Sequence, residues 1–414
     1  MMTLLVAIFF VLMLIAAWIN FRTGVAILIL LLPAYLIRFS VGPLPSTLLE
    51  LAFGAIFLVW LFRYARSDWP VIKETIARNR LLFLFIFLFF AGSLVAALTN
   101  PLLFKALGLW RAYFLEPMAL FVVLIGRQKI LSARDLIKYL AWSTVSISVL
   151  AIVQKLTGQF YPPSLWDDQL SGRATAFFTS PNAIGLYLAP VVLLVVALIV
   201  PRNNESKNYF YIIALALLAV FFSFSQGAWV ALGVGAILFA FLMGYKKTAL
   251  TAVVIGLIIA FAVPQIRSAV LFQDQAGQNR LALWRYSLTY VTASPKNFVL
   301  GSGMRMFFNE VQRPYYNVTE MERLIYPHNL WLNFWLETGL LGMISFSGVL
   351  VCLFYLGYTA IKNDRLLGAA IVGALAVFTV HGLVDVPYFK NDLAMLFWII
   401  AAVVVLTERK KFKA

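Results

Sequence analysis

The chain has 414 residues, of which 63% are hydrophobic and 12% charged, where soluble domains carry about 25% charged residues. This excludes a string of soluble domains and predicts a single all-α integral membrane domain, because apolar runs of about 20 residues read as spanning helices whose backbone groups must be satisfied within the segment. The net charge of +16 points to membrane orientation rather than nucleic acid, since most basic residues sit in short loops; the single cysteine, Cys352, excludes an internal disulfide.

In chain order, thirteen apolar segments are expected, at roughly 2–19, 24–37, 46–62, 81–98, 106–125, 139–157, 183–200, 209–225, 227–243, 248–264, 329–357, 366–386 and 391–406. Only Asn20-Phe21-Arg22-Thr23 separates the first two, so they form two spans or one bent hairpin, and the count is twelve or thirteen. Residues 2–19 lack the basic region and cleavage site of a signal peptide and read as a span. Of the 33 Lys and Arg, 20 fall at Arg22, in loops 63–80, 126–138, 201–208, 244–247 and 358–365, and in the tail 407–414. Short basic loops mark the cytoplasmic side. The tail is therefore expected in the cytoplasm, the chain in the cytoplasmic membrane, and loops 158–182 and 265–328 on the outer face. Within the large extracytoplasmic loop 265–328, residues 281–288 have helical apolar spacing and are expected to lie on the membrane surface. Leu300-Gly301-Ser302-Gly303 is expected to turn.

The same pass yields the residues that could carry chemistry. Arg111 and Glu116 lie inside the fifth segment. Five residues apart, they stand about 140° apart around an α-helix, so each is expected to find its partner on another helix. Gln154 and Lys155 lie near the outer end of the sixth. Arg173, Arg267, Arg280, Arg285, Arg305, Arg313 and Arg323 form an outer set. Their guanidinium forks suit phosphate oxygens, or simply solvate the loops. His328 follows Pro327, which disfavours helix at the residue before it, so His328 or Asn329 starts the next helix. The positive end of that helix favours a neutral ring able to act as general base; an interfacial anchor is the plainer role. Asn329, Asn333 and Glu337 follow at four-residue spacing as a polar stripe, and Gly339 and Gly342 allow close helix approach. His381 and Asp385, four apart, are expected to face one another on a helical turn, as a structural pair or a dyad. There is no Walker loop and no Cys/His cluster for zinc. Asp167-Asp168 is the one external carboxylate pair. Chemistry without metal or other cofactor is expected.

The run His328-Asn329, nine residues, Gly339, two residues, Gly342 resembles the signature of O-antigen ligase and O-antigen polymerase-like membrane proteins. Further matches are Ser180-Pro181-Asn182-Ala183, Arg280 with Trp284, Phe298-Val299-Leu300-Gly301-Ser302-Gly303 and His381-Gly382-Leu383-Val384-Asp385. Together they cover about residues 170–406. The resemblance implies a C-type glycosyltransferase-like fold. It implies transfer of a glycan from an undecaprenyl diphosphate carrier to a hydroxyl of a lipid, a protein or another glycan, on the outer leaflet and without metal. By the same resemblance His328 would deprotonate the acceptor and Arg280 would stabilise the diphosphate leaving group. Arg173, Gln226, Asn329, Arg305, Arg111, Glu337, His381 and Asp385 would contact substrate. One position departs from the pattern: Ser225-Gln226-Gly227 stands where the family shows Ser-Arg-Gly. Either Arg173, Arg305 or Arg111 supplies the missing cation, or the donor differs, or transfer is poor. A second reading is a non-enzymatic transporter or flippase of lipid-linked saccharides, for which internal repeats are expected and not found.

Overall fold

The computed structural model describes residues 2–41, 44–162, 172–199, 205–315 and 324–408. Asp167, Asp168, Arg323 and the basic tail Arg409 to Lys413 lie outside the described residues. The chain is a helical bundle. Its helices are α1 (Met2–Ile19), α2 (Phe21–Leu30), α3 (Leu48–Arg63), α4 (Ala65–Arg78), α5 (Arg80–Leu98), α6 (Leu103–Gly126), α7 (Ala133–Thr157), α8 (Asn182–Val196), α9 (Glu205–Phe222), α10 (Gln226–Met243), α11 (Lys246–Ala262), α12 (Pro264–Val270), α13 (Gln275–Thr292), α14 (Pro295–Leu300), α15 (Leu330–Ala360), α16 (Arg365–Gly382) and α17 (Asn391–Thr407). Among the described residues, six helices are long and apolar enough to cross a membrane, or up to eight if each of two bent pairs counts as one span. Five shorter apolar helices of 10–17 residues, α17 among them, pack with these.

The first two segments form separate helices because Asn20 accepts hydrogen bonds from the amides of Arg22 and Thr23 and caps α2. The expected run 24–37 is not one helix. It stops at Leu30, and Pro33 sits in a 3-10 turn (Leu32–Leu36) followed by the hairpin β1 (Arg38–Val41) and β2 (Leu44–Thr47), with Arg38 opposite Thr47. Thr47 and Glu50 then form a capping box that starts α3. Helices α3 and α4 bend by 96° at Tyr64, so the basic segment 63–80 lies across the bundle end.

The two ends of the bundle carry different sets of loops. At one end Arg22 meets Asp135 at 2.8 Å, Arg127 meets Asp68 at 3.2 Å, Arg134 meets Asp364 at 2.7 Å, and Arg365 donates to the Leu242 carbonyl at 2.9 Å. All of these arginines come from the loops assigned to a single side. The opposite end gathers 172–181, 223–225, 263–315, 324–329 and 383–390, where the polar candidates lie.

In the long loop the apolar spacing of 281–288 does form a helix. Helices α11 and α12–α13 bend by 100°, and α13 presents Leu283 and Val291 to Phe307, Val311 and Leu336, a small second core beneath the loop. Helix α15 is broken within its first half. Gly339 has φ +72° and ψ 179°, outside helical space. The break leaves the Leu336 carbonyl free of its helical partner, and the amides of Ser302 and Gly303 bond it instead at 2.7 and 3.0 Å. A Cβ on Gly339 would lie 2.4 Å from the Val299 carbonyl oxygen, and one on Gly301 would lie 2.3 Å from that of Trp335. Gly339 therefore accommodates the 299–303 turn rather than a helix. Gly342 meets the expectation of close approach: a Cβ on Gly92 of α5 would be 3.3 Å from its amide.

Candidate active site

Asn329 is the N-cap of α15; its side chain accepts from the Leu332 amide at 3.0 Å and donates to the Leu383 carbonyl at 3.0 Å. It thereby ties the start of α15 to the residues after α16. His328 immediately precedes this cap with φ +51°, a left-handed conformation that costs a non-glycine residue of order 1–3 kcal/mol. The Indole Nε1 of Trp284 donates to the Pro327 carbonyl at 3.0 Å and helps hold that geometry. The His328 side chain is 23% exposed, and its Nδ1 lies 3.3 Å from Oδ1 of buried Asp385.

Asp385 was expected to face His381 on a helical turn, but α16 ends at Gly382 and only a backbone bond joins the two, Asp385 amide to His381 carbonyl at 3.0 Å. With the helix finished, the four-residue rule no longer sets the side chains, and the carboxylate turns to His328. It also accepts the Val386 amide at 2.8 Å and Asn182 Nδ2 at 3.1 Å. Burial pushes the Asp385 carboxyl upward, but the hydrogen bond from His328, the nearby charges of His328 and His381 and the Val386 amide outweigh it and hold the group well below the usual carboxylate range. An ionised carboxylate only accepts, so Nδ1 carries the proton of this contact, and whenever the ring is neutral its lone pair falls on Nε2.

Arg280 lies one turn before Trp284 on α13. Its Nε donates to the Val384 carbonyl at 3.2 Å, next to Asp385. Its terminal nitrogens have no hydrogen-bond partner among the described residues. Arg173 approaches the same carboxylate from behind. Its Nη2 donates to Asn182 Oδ1 at 3.1 Å and its Nε to the Ser223 carbonyl at 2.9 Å, so Arg173, Asn182, Asp385 and His328 form one chain of contacts. Partial burial lowers the Arg173 pKa. Gln226, exposed, opens α10 two residues beyond Phe224, whose carbonyl lies 3.4 Å from Arg173 Nη2. Lys155 Nζ bonds the Gly172 carbonyl at 2.7 Å and faces the Phe224 ring at 5.2 Å.

On the other flank of His328 the Tyr326 ring meets the imidazole edge to face, centroids 5.1 Å apart. Beyond it, Arg305 Nη2 donates to the Tyr113 hydroxyl at 2.7 Å. Arg305 is solvent-exposed, has φ +59° and lies against Glu337, whose carboxylate its backbone amide approaches. Asn333, between Asn329 and Glu337 on the polar stripe, is fully buried, and neither of its amide atoms has a hydrogen-bond partner among the described residues.

Two candidates are placed otherwise than expected. Arg111 meets Glu116 at 3.2 Å as well as Glu50 at 2.7 Å. The reason is a π-turn over Arg111–Leu115, in which the Glu116 amide bonds the Arg111 carbonyl five residues back; the wider turn brings positions five apart onto one face. Flanked by two carboxylates, Arg111 is not a free phosphate-binding cation. His381 is 2% exposed, wedged between α8 and α10. Cβ atoms on Gly185 and Gly227 would each come within 3.3 Å of its ring. Asn182 reads in the sequence only as a helix start; the contacts of its amide, which accepts from Arg173 and donates to Asp385, are not carried by a single sequence.

Comparison with known proteins adds an independent observation. Residues 210–347 match the O-antigen ligase family model. That stretch holds Gln226, Arg280, Arg305, His328, Asn329 and Glu337, and leaves Arg111, Arg173, His381 and Asp385 outside it. The chain is 26% identical over 289 residues to the ComP-specific O-oligosaccharyltransferase of Acinetobacter baylyi, an alignment covering 64% of this chain and 50% of that protein. The chain thus spans about half the length of the curated relative it matches. Both findings make the chain similar to O-antigen ligase-like proteins.

Proposed function

We propose that the chain transfers a glycan from an undecaprenyl diphosphate carrier to a hydroxyl of a lipid, glycan or protein acceptor, at the outer face of the cytoplasmic membrane, with a C-type glycosyltransferase-like arrangement of helices. The observation that carries this reading is the His328–Asp385 contact at 3.3 Å beside the open terminal nitrogens of Arg280. His328 Nε2 takes the proton of the acceptor hydroxyl as that oxygen attacks the anomeric carbon. The bond from this carbon to the carrier's diphosphate oxygen breaks, and its electron pair leaves with the diphosphate. Asp385 keeps the imidazole in the proton-accepting tautomer and stabilises the imidazolium that forms.

Charge accumulates on the leaving diphosphate, so fixed cations beside it lower the barrier. Arg280 is poised for this role. Arg173 stands next to the start of α10, where Gln226 carries no charge, and is the better candidate than Arg111 for a second cation, since Arg111 is already neutralised. The segregation of basic loops at the far end of the bundle supports an extracytoplasmic position for 265–328 and a cytoplasmic C-terminus.

The test is an assay with purified full-length protein and an undecaprenyl diphosphate-linked oligosaccharide, with candidate acceptors and with or without a chelator. Release of the free carrier coupled to growth of the acceptor is expected in both arms. Movement of the intact lipid-linked sugar across a vesicle membrane without carrier release would replace the enzyme with a transporter.

A further inference from the structure

The carboxylate of Asp385 is held from two directions. Its Oδ1 faces His328 Nδ1 at 3.3 Å and accepts the Val386 amide at 2.8 Å. Its Oδ2 accepts Asn182 Nδ2 at 3.1 Å and has no other partner among the described residues. The side chain is 4% exposed, so an unpaired oxygen there would cost free energy that bulk water cannot return. The one hydrogen bond to Oδ2 therefore sets which way the carboxylate faces, and with it the contact to His328.

Asn182 is the first residue of α8. An asparagine at a helix start usually serves the helix as a cap, but this amide is spent on two groups outside α8. Its Oδ1 accepts from Arg173 Nη2 at 3.1 Å, while Nδ2 donates to Asp385. The polarity is forced: turned over, the amide would set its N–H groups against guanidinium donors and its oxygen against a carboxylate. Its support is braced as well. Arg173 is pinned by the carbonyls of Ser223 at 2.9 Å and Phe224 at 3.4 Å. The following residues are pinned by buried Gln154, whose Oε1 accepts the amides of Thr175 and Ala176 at 3.0 and 2.7 Å.

A guanidinium placed directly on Asp385 would hold the carboxylate equally well, at a chemical cost. It would offset the charge that orients His328 and would occupy a cation that can otherwise face a phosphate. A neutral amide between the two holds both groups and leaves both charges in place.

We infer that Asn182 is a positioning residue of the transfer reaction. It fixes Oδ2 of Asp385 so that Oδ1 keeps His328 in its proton-accepting form, and it prevents Arg173 and Asp385 from closing into an ion pair. This rests on the transferase reading, in which Asn182 itself touches no substrate.

Asn182→Leu keeps the bulk of the side chain and deletes both hydrogen bonds; Asn182→Ala is the smaller substitution should the leucine variant not purify as a monodisperse protein. The chain has two histidines, and His328→Ala assigns their imidazole signals. Ring-nitrogen NMR on full-length protein in detergent, without substrate and at a pH where the ring is neutral, is expected to show His328 as the Nδ1–H tautomer in the wild type. In the Asn182 variant a mixture with the Nε2–H tautomer is expected. In the carrier-release assay the variant's kcat should fall at least about tenfold, with the donor KM moving less than in Arg173→Ala. The same substitution should cost little more in an Asp385→Asn background and keep most of its effect in an Arg173→Ala background. An unchanged tautomer, an unchanged kcat, or a kcat loss that vanishes in the Arg173→Ala background would overturn the assignment. A tautomer change in the variant, with no carrier release by the wild type from any acceptor, would keep the hold of Asn182 on the Asp385–His328 pair and remove the transferase reading.

Discussion

Arg280 and Trp284, four residues apart on α13, donate to the carbonyls of Val384 and Pro327 at 3.2 and 3.0 Å. Each acceptor immediately precedes one member of the Asp385–His328 pair. A single helical turn in the long loop therefore sets the spacing of two side chains 57 positions apart in sequence. Replacement of Trp284 by Phe keeps the ring and deletes only the Pro327 bond, and a drop in turnover with little change in melting temperature is the expected result.

His328→Ala is expected to lower glycan transfer by about 10²–10⁴-fold, the usual contribution of a general base, with the purified protein still monodisperse. An undiminished product ladder in this variant would remove the base assignment.

Asp385→Asn keeps the size of the side chain but loses the charge that orients His328, and is expected to reduce turnover by a similar factor. The carboxyl is depressed in the folded protein, so its contribution to stability is fully present above the unfolded carboxylate value of about 3.9 and is lost as pH falls through its lower folded value. Melting temperatures of wild type and Asp385→Asn should differ at pH 7 and converge in strong acid. A gap that widens on acidification would contradict the assignment.

Arg280→Ala should raise the donor KM and lower kcat, while Arg280→Lys retains part of the activity as a point charge without the planar fork. Arg173→Ala should impair donor use, and Gln226→Arg in that background should restore part of it by placing a cation at the start of α10. Equal donor turnover by all of these forms would argue against a diphosphate contact on this flank.

Arg111→Ala separates structure from chemistry. It strands Glu116, whereas Glu50 keeps the Thr47 amide and Asn391, and a loss of about 1–3 kcal/mol is expected from the unpaired buried carboxyl. Activity per folded molecule should survive. Loss of turnover at full stability would instead make Arg111 a substrate ligand.

Much of the architecture is legible in the sequence because it rests on local chemistry. The apolar runs, the Asn329 cap and the α13 helix follow from composition, capping and periodicity. The parts that were not legible depend on events a fixed period cannot carry. Arg111 and Glu116 pair because a π-turn changes the period between them. Asp385 leaves His381 because the helix ends three residues earlier, at Gly382. Gly339 looks like a packing glycine until the distant turn 299–303 is placed against it. The Arg173–Asn182–Asp385 contacts join three loops, and no spacing within any one of them announces the others.

The bond from Ser302 and Gly303 to the Leu336 carbonyl has a mechanical consequence. The loop is latched to the nine residues of α15 that precede Gly339, so the two travel as one lever with its pivot at that glycine. Any shift of the 299–303 turn then carries the start of α15 with it, and with that start His328, which sits just before the helix cap.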